Sequence, residues 1–397
     1  IVGAMRGIEL ANPDTLYGVL SMFSAQKWTD KKNLSDGKIR DLIEHLSTRR
    51  LGNNDYPADL MGDAYEILLK KFADDSKAQA GEFYTPRSVV SLLVRILDPK
   101  PGETVYDPAC GSGGMLIEAV QHMNHSSLCC GSIFGQEKNV VNSAIAKMNL
   151  FLHGASDFNI MQGDTLRSPK ILQNGEIAKF NCVIANPPFS LEKWGSVEWS
   201  SDKYGRNVWG TPSDSCGDYA WIQHMVQSMK PGTGRMAVVM PQGVLFRGNA
   251  EADIRKRMVE SDWLEAVITL GEKLFFGTQL SPCILVLRRH KTPEHSARVL
   301  MVDASKILTV RRAQNELTEE NAAEIFQHYL DYTDKEDISR VVTLDEIREK
   351  DYVLSPNRYI QYHQEEQEPY EVVKARFLAA CQEVHDAEQA FTQLMNS

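Results

Sequence analysis

The spacing of apolar residues changes near residue 81 and again near residue 291. Before residue 81, apolar residues recur every three or four positions, which predicts amphipathic helices. From there to about residue 291, short apolar runs alternate with helical patterns, as is typical of a mostly parallel sheet covered on both faces. We therefore predict an α/β fold with an N-terminal helical domain at 1–80, a central domain at 81–315 and a C-terminal helical tail at 316–397.

The element boundaries follow from the same pattern. Strands are predicted at Thr104–Tyr106, Ile133–Gln136, Phe158–Met161, Cys182–Ala185, Arg235–Met240, Ala266–Leu270 and Cys283–Leu287. Helices between them are predicted at Gly114–Met123, Asn139–Leu152, Tyr219–Met229 and Ala250–Glu260. Outside the central domain, helices are predicted at Asp14–Ala25, Ser35–Arg50, Pro57–Lys71, Thr318–Leu330, Leu344–Lys350 and Gln364–Met395.

Composition narrows the class of protein. No apolar run approaches the roughly 18 residues that a membrane span requires, and seven cysteines in 397 residues indicate cytosolic thiols, so we expect a cytoplasmic protein without membrane contact. The net charge of −10 argues against a chain that binds nucleic acid by itself through a broad surface, because such a surface needs many Lys and Arg residues. Because the first residue is Ile1 and not Met, the sequence is compatible with a truncated start.

The most specific chemistry lies in the tetrad Asn186, Pro187, Pro188 and Phe189. It follows the apolar run 180–185, so it should stand at the carboxyl end of a buried strand, where open α/β sheets bind ligands. The tetrad offers hydrogen-bond acceptors on a stiff backbone beside a flat apolar ring. That combination suits an exocyclic amine on a planar ring, such as the amino group of adenine.

A glycine-rich turn follows the first predicted strand. Its residues are Asp107, Pro108, Ala109, Cys110, Gly111, Ser112, Gly113 and Gly114. The third glycine of a dinucleotide-binding turn is absent, because position 116 is Leu, and the leading acidic residue would repel a pyrophosphate. It would attract a cation instead, and the sulfonium and ammonium groups of S-adenosylmethionine fit that sign.

Two further carboxylates are candidates for binding the same cofactor. Glu137 lies just past the next strand, where it could accept hydrogen bonds from ribose hydroxyls or, alternatively, cap the following helix. Asp164 closes the strand after that, where it could meet an adenine amino group or serve only as a turn residue. No metal site is predicted, because the spacing of His122, His125 and Cys129 lacks a closing pair of ligands.

Together, the tetrad, the glycine-rich turn and the segment Gly81–Arg87 resemble the N6-adenine DNA methyltransferases, in the order that this family keeps. The nearest resemblance is to the modification subunit of type I restriction–modification systems, to which the stretches 234–248 and 270–278 are also similar. The resemblance implies a Rossmann-like, S-adenosylmethionine-dependent methyltransferase domain. It covers about Pro57 to Arg289.

The resemblance also implies roles for residues. The methionine end of the cofactor would be bordered by Glu82, Phe83, Tyr84, Thr85, Pro86 and Arg87, although Thr85 and Pro86 also suit a helix start. Asn186 and the carbonyl of Pro187 would accept the protons of the amine, while Phe189 would stack on an adenine swung out of the duplex. Phe276, or else Phe275, would form the other wall of the pocket, unless these rings only pack in the core.

The partners that we expect follow partly from the lack of a segment suited to read a DNA sequence. The tail is too short and acidic for a domain that reads a DNA sequence, so double-stranded DNA should be selected by a separate specificity subunit. The resemblance implies two modification subunits around one specificity subunit, joined by a restriction subunit. The final helix could contact the specificity subunit or pack within its own chain, and the loop Ser190–Gly217, with Trp194, Trp199, Trp209, Lys203 and Arg206, could touch DNA. A protein-glutamine or RNA-adenine methyltransferase is the alternative function.

Overall fold

The computed structural model describes residues 2–13, 15–21, 35–49, 60–62, 64–65, 67–68, 85–124, 131–275, 280–312, 314–363 and 370–395. The chain comprises two compact units, Ile1–Ile360 and Gln361–Ser397. The first holds a nine-stranded sheet in the order β11-β10-β8-β9-β7-β6-β1-β2-β3, and a small hairpin of β4 and β5.

The strands of the structure match the apolar runs of the sequence. They are β1 (Val105–Asp107), β2 (Ile133–Glu137), β3 (Phe158–Gln162), β4 (Leu172–Gln173), β5 (Glu176–Ile177), β6 (Cys182–Ala185), β7 (Arg235–Pro241), β8 (Leu264–Leu270), β9 (Pro282–Arg288), β10 (Arg298–Ala304) and β11 (Ser339–Thr343). Each of the seven predicted strands is present within two residues of its predicted bounds. Strands β4, β5, β10 and β11 were not predicted.

The helices also follow the predicted pattern in the central part of the chain. Those described are α1 (Val2–Ala11), α2 (Asp36–Ser47), α3 (Arg87–Leu97), α4 (Gly114–Asn124), α5 (Val140–Leu152), α6 (Ser196–Trp199), α7 (Asp218–Ser228), α8 (Ala250–Glu260), α9 (Glu319–Asp331), α10 (Leu344–Glu349) and α11 (Tyr370–Met395), with single 3₁₀ turns at Gln242–Leu245 and Pro356–Arg358. Among these helices, none combines the length and apolar character needed to cross a membrane.

One helix prediction near the N-terminus is wrong. Residues 15–20, predicted to be helical, form turns instead. Gly18 has a left-handed φ of 77°, which is incompatible with a right-handed helix. Leu16 and Val19 are nevertheless buried and pack against Ala144 of α5. The apolar spacing therefore predicted correctly which residues are buried, but it predicted the wrong backbone conformation.

The large sheet is mostly parallel, as predicted. Strands β1, β2, β3, β6 and β7 are parallel neighbours, and β8 pairs in parallel with β10. Strand β9 runs antiparallel between β7 and β8, and β11 is antiparallel to β10 at the edge. The chain moves outward from β1 to β2 and β3 and then returns to β6 on the other side of β1. The space between β1 and β6 is therefore the topological switch point of the sheet.

Two apolar cores cover the two faces of the sheet. Along β7, Ala237 and Val239 join the core under α3, α4 and α9, whereas Met236, Val238 and Met240 join the core under α7 and α8. A strand buried on both faces needs apolar residues along its length, which explains the apolar run from Met236 to Pro241. The predicted α/β fold is thus confirmed.

A partly buried ion pair lies at the amino-terminal edge of this sheet. Arg235, the first residue of β7, donates to Glu103 Oε1 over 3.0 Å and to Glu103 Oε2 over 2.6 Å. The same guanidinium donates to the carbonyl oxygens of Leu97, the last residue of α3, and of Asp98, its C-cap. This contact lies at the end of the strands opposite to the predicted site, and it ties the helix layer to the sheet.

Candidate active site

The predicted site assembles where β1 and β6 lie side by side. Val105 is paired with Cys182 and Tyr106 with Val183, so both strands end at the same level. The glycine-rich turn leaves the end of β1, and the Asn186–Phe189 tetrad leaves the end of β6. Both loops therefore border the switch point, where open α/β sheets bind their ligands.

The glycine-rich turn brings the backbone close to neighbouring elements. Gly111 and Gly113 adopt left-handed φ values of 53° and 86°, which glycine reaches without steric strain. A Cβ on Gly113 would lie 3.4 Å from the Cα of Ala146, so helix α5 packs tightly against the turn. The nitrogen of Gly113 donates to Cys110 O over 2.7 Å, which closes the turn before α4 begins.

Asp107 is a buried carboxyl group at the start of this turn, and only 2% of its surface is exposed. Its Oδ1 accepts a hydrogen bond of 2.9 Å from Ala109 N. Burial raises the pKa of Asp107 to about 8; the bond from Ala109 opposes this shift, and the charge of Glu137 adds to it. A cation placed beside Asp107 would stabilise its ionised form, so the start of this turn is suited to a positively charged ligand.

Glu137 ends β2 and faces the same turn. Its Oε2 accepts a bond of 3.0 Å from Gly111 N, and its Oε1 accepts one of 2.6 Å from Asn139 N. The cap of α5 is Asn139, whose side chain accepts from Val141 N and Asn142 N. Since each carboxylate oxygen can accept more than one hydrogen bond, Glu137 retains capacity for a ligand's hydroxyl groups.

Asp164 follows β3 and is part of a folded turn. Its Oδ1 accepts from Arg167 N over 3.1 Å, and its Oδ2 forms an ion pair of 3.0 Å with Lys138. The next residue, Thr165, donates through Oγ1 to Pro108 O over 2.6 Å. This bond fixes the loop after β3 against the glycine-rich turn, so Asp164 lies along the same edge of the sheet as Glu137.

The tetrad places one buried acceptor at the switch point. Asn186 Nδ2 donates to Thr85 Oγ1 over 2.9 Å. Within the part of the chain that the structure describes, the buried Oδ1 of Asn186 has no hydrogen-bond partner. An unsatisfied buried acceptor costs about 1–3 kcal/mol, so such an atom is commonly matched to a ligand. No sequence pattern indicated that Thr85, predicted to border the cofactor, orients the amide of Asn186.

The rest of the tetrad forms a partly open surface. Pro187 is buried, Pro188 is exposed and Phe189 is half-buried. The rings of Phe189 and Phe275 have centroids 6.3 Å apart and planes tilted by 56°, and Phe275 is 6% exposed. A flat base cannot fit between rings so close and so tilted, so Phe275 supports Phe189 from behind. The predicted Phe276 lies outside the described residues, as do Glu82, Phe83 and Tyr84.

The loop between β6 and α7 buries most of the side chains that we expected to touch DNA, so that expectation is wrong for its three tryptophans and for Arg206. Trp194, Trp199 and Trp209 are 2%, 1% and 6% exposed. Arg206 is buried too: it lies 4.4 Å from the ring centroid of Trp199 and pairs with Asp202 over 2.6 Å. Of the residues predicted to reach DNA, only Lys203 is exposed. Burial of this much aromatic surface outweighs the polar composition that suggested an open loop.

The buried cysteines near the site are unsuited to act as nucleophiles. Burial raises the pKa of Cys110 in the glycine-rich turn and that of Cys283 in β9. Both thiols are therefore protonated at neutral pH, and the thiol is a far weaker nucleophile than the thiolate. Over the described residues, no group of His, Cys, Asp and Glu is arranged to hold a metal ion.

Known proteins with similar sequences share one description. A model of the N-6 DNA methylase family matches residues 57–368. The type I restriction enzyme MjaVII methylase subunit of Methanocaldococcus jannaschii is 36% identical over 334 residues, which cover 81% of this chain and 56% of that protein. The MjaVIII methylase subunit of the same organism is 33% identical, over 92% of this chain and 64% of its own length. The chain thus spans about three fifths of these relatives.

A solved structure agrees with the sequence matches. The type I restriction-modification system methyltransferase subunit from Streptococcus thermophilus superposes with a TM-score of 0.79 and 30% sequence identity. The match covers 90% of this chain and 75% of that one. The similarity therefore extends through the sheet and its flanking helices.

The raised pKa of Asp107 predicts a specific dependence of stability on pH. An unfolded aspartate titrates near about 3.9, so between about 4 and about 8 the folded chain binds more protons than the unfolded chain. The contribution of Asp107 to stability is therefore greatest below pH of about 4, declines as the pH rises to about 8, and is constant above that. Asp107→Asn, which keeps the acceptor for Ala109, should remove this decline.

Urea unfolding of both proteins between pH 5 and pH 9 measures the effect. The stability of the native protein should fall relative to that of Asp107→Asn as the pH rises. Two parallel curves would show that Asp107 titrates normally in the folded chain.

Proposed function

Because the chain belongs to the N-6 DNA methylase family, we propose that it transfers a methyl group from S-adenosylmethionine to the N6 amine of adenine in double-stranded DNA. The observation that carries this proposal is the buried Oδ1 of Asn186, which has no hydrogen-bond partner among the described residues. The amide that bears it is oriented by Thr85 at the switch point of the sheet. An acceptor in that position is complementary to an amine that brings its own protons.

The tetrad would activate that amine through hydrogen bonds. An adenine amine is a poor nucleophile, because its lone pair is delocalised into the ring. Asn186 Oδ1 would accept a hydrogen bond from one N–H of the amine, and the carbonyl oxygen of Pro187 would accept one from the other N–H. These two bonds would favour a tetrahedral nitrogen whose lone pair is free. Pro188 has no N–H to compete for these acceptors, and its ring stiffens the backbone. Phe189 would stack on the base once it has left the duplex, a contact worth about 1–3 kcal/mol.

The opposite side of the switch point fits the proposed cofactor. Bound S-adenosylmethionine supplies a methyl group on a positively charged sulfur. Asp107, buried beside the turn with a raised pKa, would be ionised by that positive charge, and Glu137 retains acceptor capacity for the ribose hydroxyls. The backbone at Gly111, Ser112 and Gly113 allows close approach, and Asp164 would accept from the adenine amine of the cofactor. Glu82 to Arg87 would border its methionine end.

The closeness of the two loops would provide much of the rate. Holding a nucleophile and an electrophile in reactive alignment can lower a barrier by roughly 7–11 kcal/mol. In this fold the alignment comes from adjacent parallel strands, which place the tetrad and the glycine-rich turn at one level.

We further propose that the chain acts in a complex. The names of its relatives describe methylase subunits of type I restriction enzymes. The net charge of −10 leaves the chain poorly suited to hold DNA by itself, so a specificity subunit would select the site, a restriction subunit would join for cleavage, and a second copy of this chain would complete the assembly.

Helix α11 has a sequence pattern suited to such a partner. Tyr370, Phe377, Val384 and Phe391 recur at intervals of seven residues, with Val373, Ala380 and Ala387 three residues after the first three. This heptad spacing is typical of a helix that packs along another helix. Phe377 is 65% exposed and Phe391 64% exposed. We therefore propose that the α11 seam, defined by these seven residues, contacts helices of the specificity subunit.

The main test is methyl transfer to DNA. The chain is purified with and without a specificity subunit of a type I restriction–modification system and incubated with duplex DNA and labelled S-adenosylmethionine. We expect N6-methyladenine only with both subunits. Asn186→Ala should lower kcat by roughly 100- to 1,000-fold, because it removes a preorganised acceptor. Asn159→Ala, at an exposed position on β3, is the control and should be fully active.

The same assay separates the alternatives. Label only in RNA would point to an RNA-adenine methyltransferase, and label only in protein to a protein-glutamine methyltransferase. Full site-specific activity of this chain alone would contradict the proposed division of labour.

Thr85 provides a second prediction, on orientation of the tetrad. Thr85→Val keeps the shape of the side chain but removes the oxygen that accepts from Asn186 Nδ2. The loss of one such hydrogen bond, about 1 kcal/mol, should lower kcat by about 5-fold while leaving the fold intact. Thr85→Ser keeps the hydroxyl and should restore activity. Equal rates for the Val and Ser variants would show that Thr85 does not orient the amide.

The α11 seam provides a third prediction. Phe377→Asp places a charge in the seam and should abolish copurification with the specificity subunit. Leu378→Asp is the matched control, because Leu378 is also exposed, at 57%, but lies outside the seam. Loss of binding in both variants, or in neither, would argue against a contact through this face.

A further inference from the structure

A buried carboxylate lies behind the tetrad and has no part in the mechanism above. Asp218 is the first residue of α7 and is completely buried, with 0% exposure. Its Oδ1 accepts a bond of 2.7 Å from Ser190 N, and its Oδ2 accepts from Cys216 Sγ over 3.2 Å and forms an ion pair with Arg247. Ser190 is the residue directly after Phe189, so Asp218 holds the end of the tetrad loop.

The backbone of Ser190 explains why this end needs an anchor. Its φ is +51°, in the left-handed region that residues other than glycine rarely adopt. Such a conformation is strained and persists only where surrounding contacts fix it. The charge-assisted bond from Ser190 N to Asp218 is the contact that the structure provides.

Arg247 neutralises Asp218 and is itself fixed on several sides. Its Nε donates to Glu251 Oε2 over 2.7 Å, and its carbonyl accepts from Arg255 Nη1 over 2.7 Å. A Cβ on Gly243 would lie 2.5 Å from Arg247 Nη1, so the absence of a side chain there leaves room for the guanidinium. Burial alone would lower the pKa of Arg247, but its bonds to Glu251 and Asp218 raise it.

We propose that Asp218 and Arg247 are positioning residues that lock the tetrad loop from behind, so that Phe189 and Asn186 keep the geometry needed for the target base. The tetrad is then clamped at both ends: Thr85 orients Asn186, and Asp218 fixes Ser190. This inference rests on the proposed function. Asp218 and Arg247 act on the side of the target base and not on the side of the proposed cofactor. Among the contacts of the described residues, neither is bonded to the proposed cofactor-binding residues Asp107 and Glu137.

Two variants test the clamp in the assembled complex. Asp218→Asn keeps the size of the side chain but removes its charge, and Arg247→Gln removes the ion pair from the other side. For each we expect kcat to fall by roughly 100-fold, because small displacements of reacting groups have effects of that size. The affinity for S-adenosylmethionine, measured by calorimetry, should be unchanged. Arg247→Lys keeps a cation and should restore part of kcat.

A second readout reports on the base itself. DNA with 2-aminopurine at the target position brightens when that base leaves the stack, and contact with an aromatic ring then alters its fluorescence lifetime. Both variants should change this lifetime distribution relative to the native complex, because Phe189 would no longer be held in one place.

Arg235→Lys is the matched control for stability. It weakens a partly buried ion pair, Arg235 with Glu103, at the opposite edge of the same sheet. A general loss of stability would affect all variants, whereas the clamp predicts that only the Asp218 and Arg247 variants lose kcat. Native kcat in Asp218→Asn and Arg247→Gln would overturn the clamp while leaving the proposed function intact. An inactive native complex would instead overturn the proposed function, and the clamp with it.

Discussion

The parallel pairing of β1 with β6 is the constraint on which the candidate site depends. These neighbours are far apart in sequence, and the chain must leave β1, form β2 and β3, and return before β6 can pair. The pairing sets the ends of both strands at one level, so that the glycine-rich turn and the tetrad face each other. Each loop is simple by itself. Their juxtaposition is a property of the sheet.

The buried polar groups at the carboxyl edge of the sheet are of two kinds: some are fully hydrogen-bonded within the chain, and others are not. Asp218 is fully buried, yet its oxygens are matched by Ser190, Cys216 and Arg247. Asp107 and Asn186, in contrast, are buried and incompletely matched: one carboxyl has a raised pKa, and one amide oxygen has no partner among the described residues. Satisfied groups make a site rigid, whereas unsatisfied ones store the interaction energy that a ligand can release. The same edge holds both kinds.

The sequence predicted much of the fold, and particular residues show why. Strand β7 is buried on both faces, so its apolar run was unambiguous. Strand β10 carries a similar signal in Val299 to Val302 but was missed beside more charged segments, and β11 is a short edge strand with only two apolar residues. Trp194 and Trp199 after the tetrad were misjudged, because their polar neighbours concealed a small core formed with α7. The predicted family is confirmed.

By itself, the sequence determined the fold class, the order of the motifs and the chemical character of each loop, because apolar periodicity and glycine or proline positions act locally. Only the tertiary structure decided which groups meet. Thr85 lies 101 residues before Asn186, and Asp218 lies 28 residues after Ser190, yet each pair is joined by a hydrogen bond. Such bonds depend on how distant elements pack on one sheet, and no local pattern encodes that distance. The tetrad could be recognised from the sequence, but the contacts that orient it form only in the folded chain.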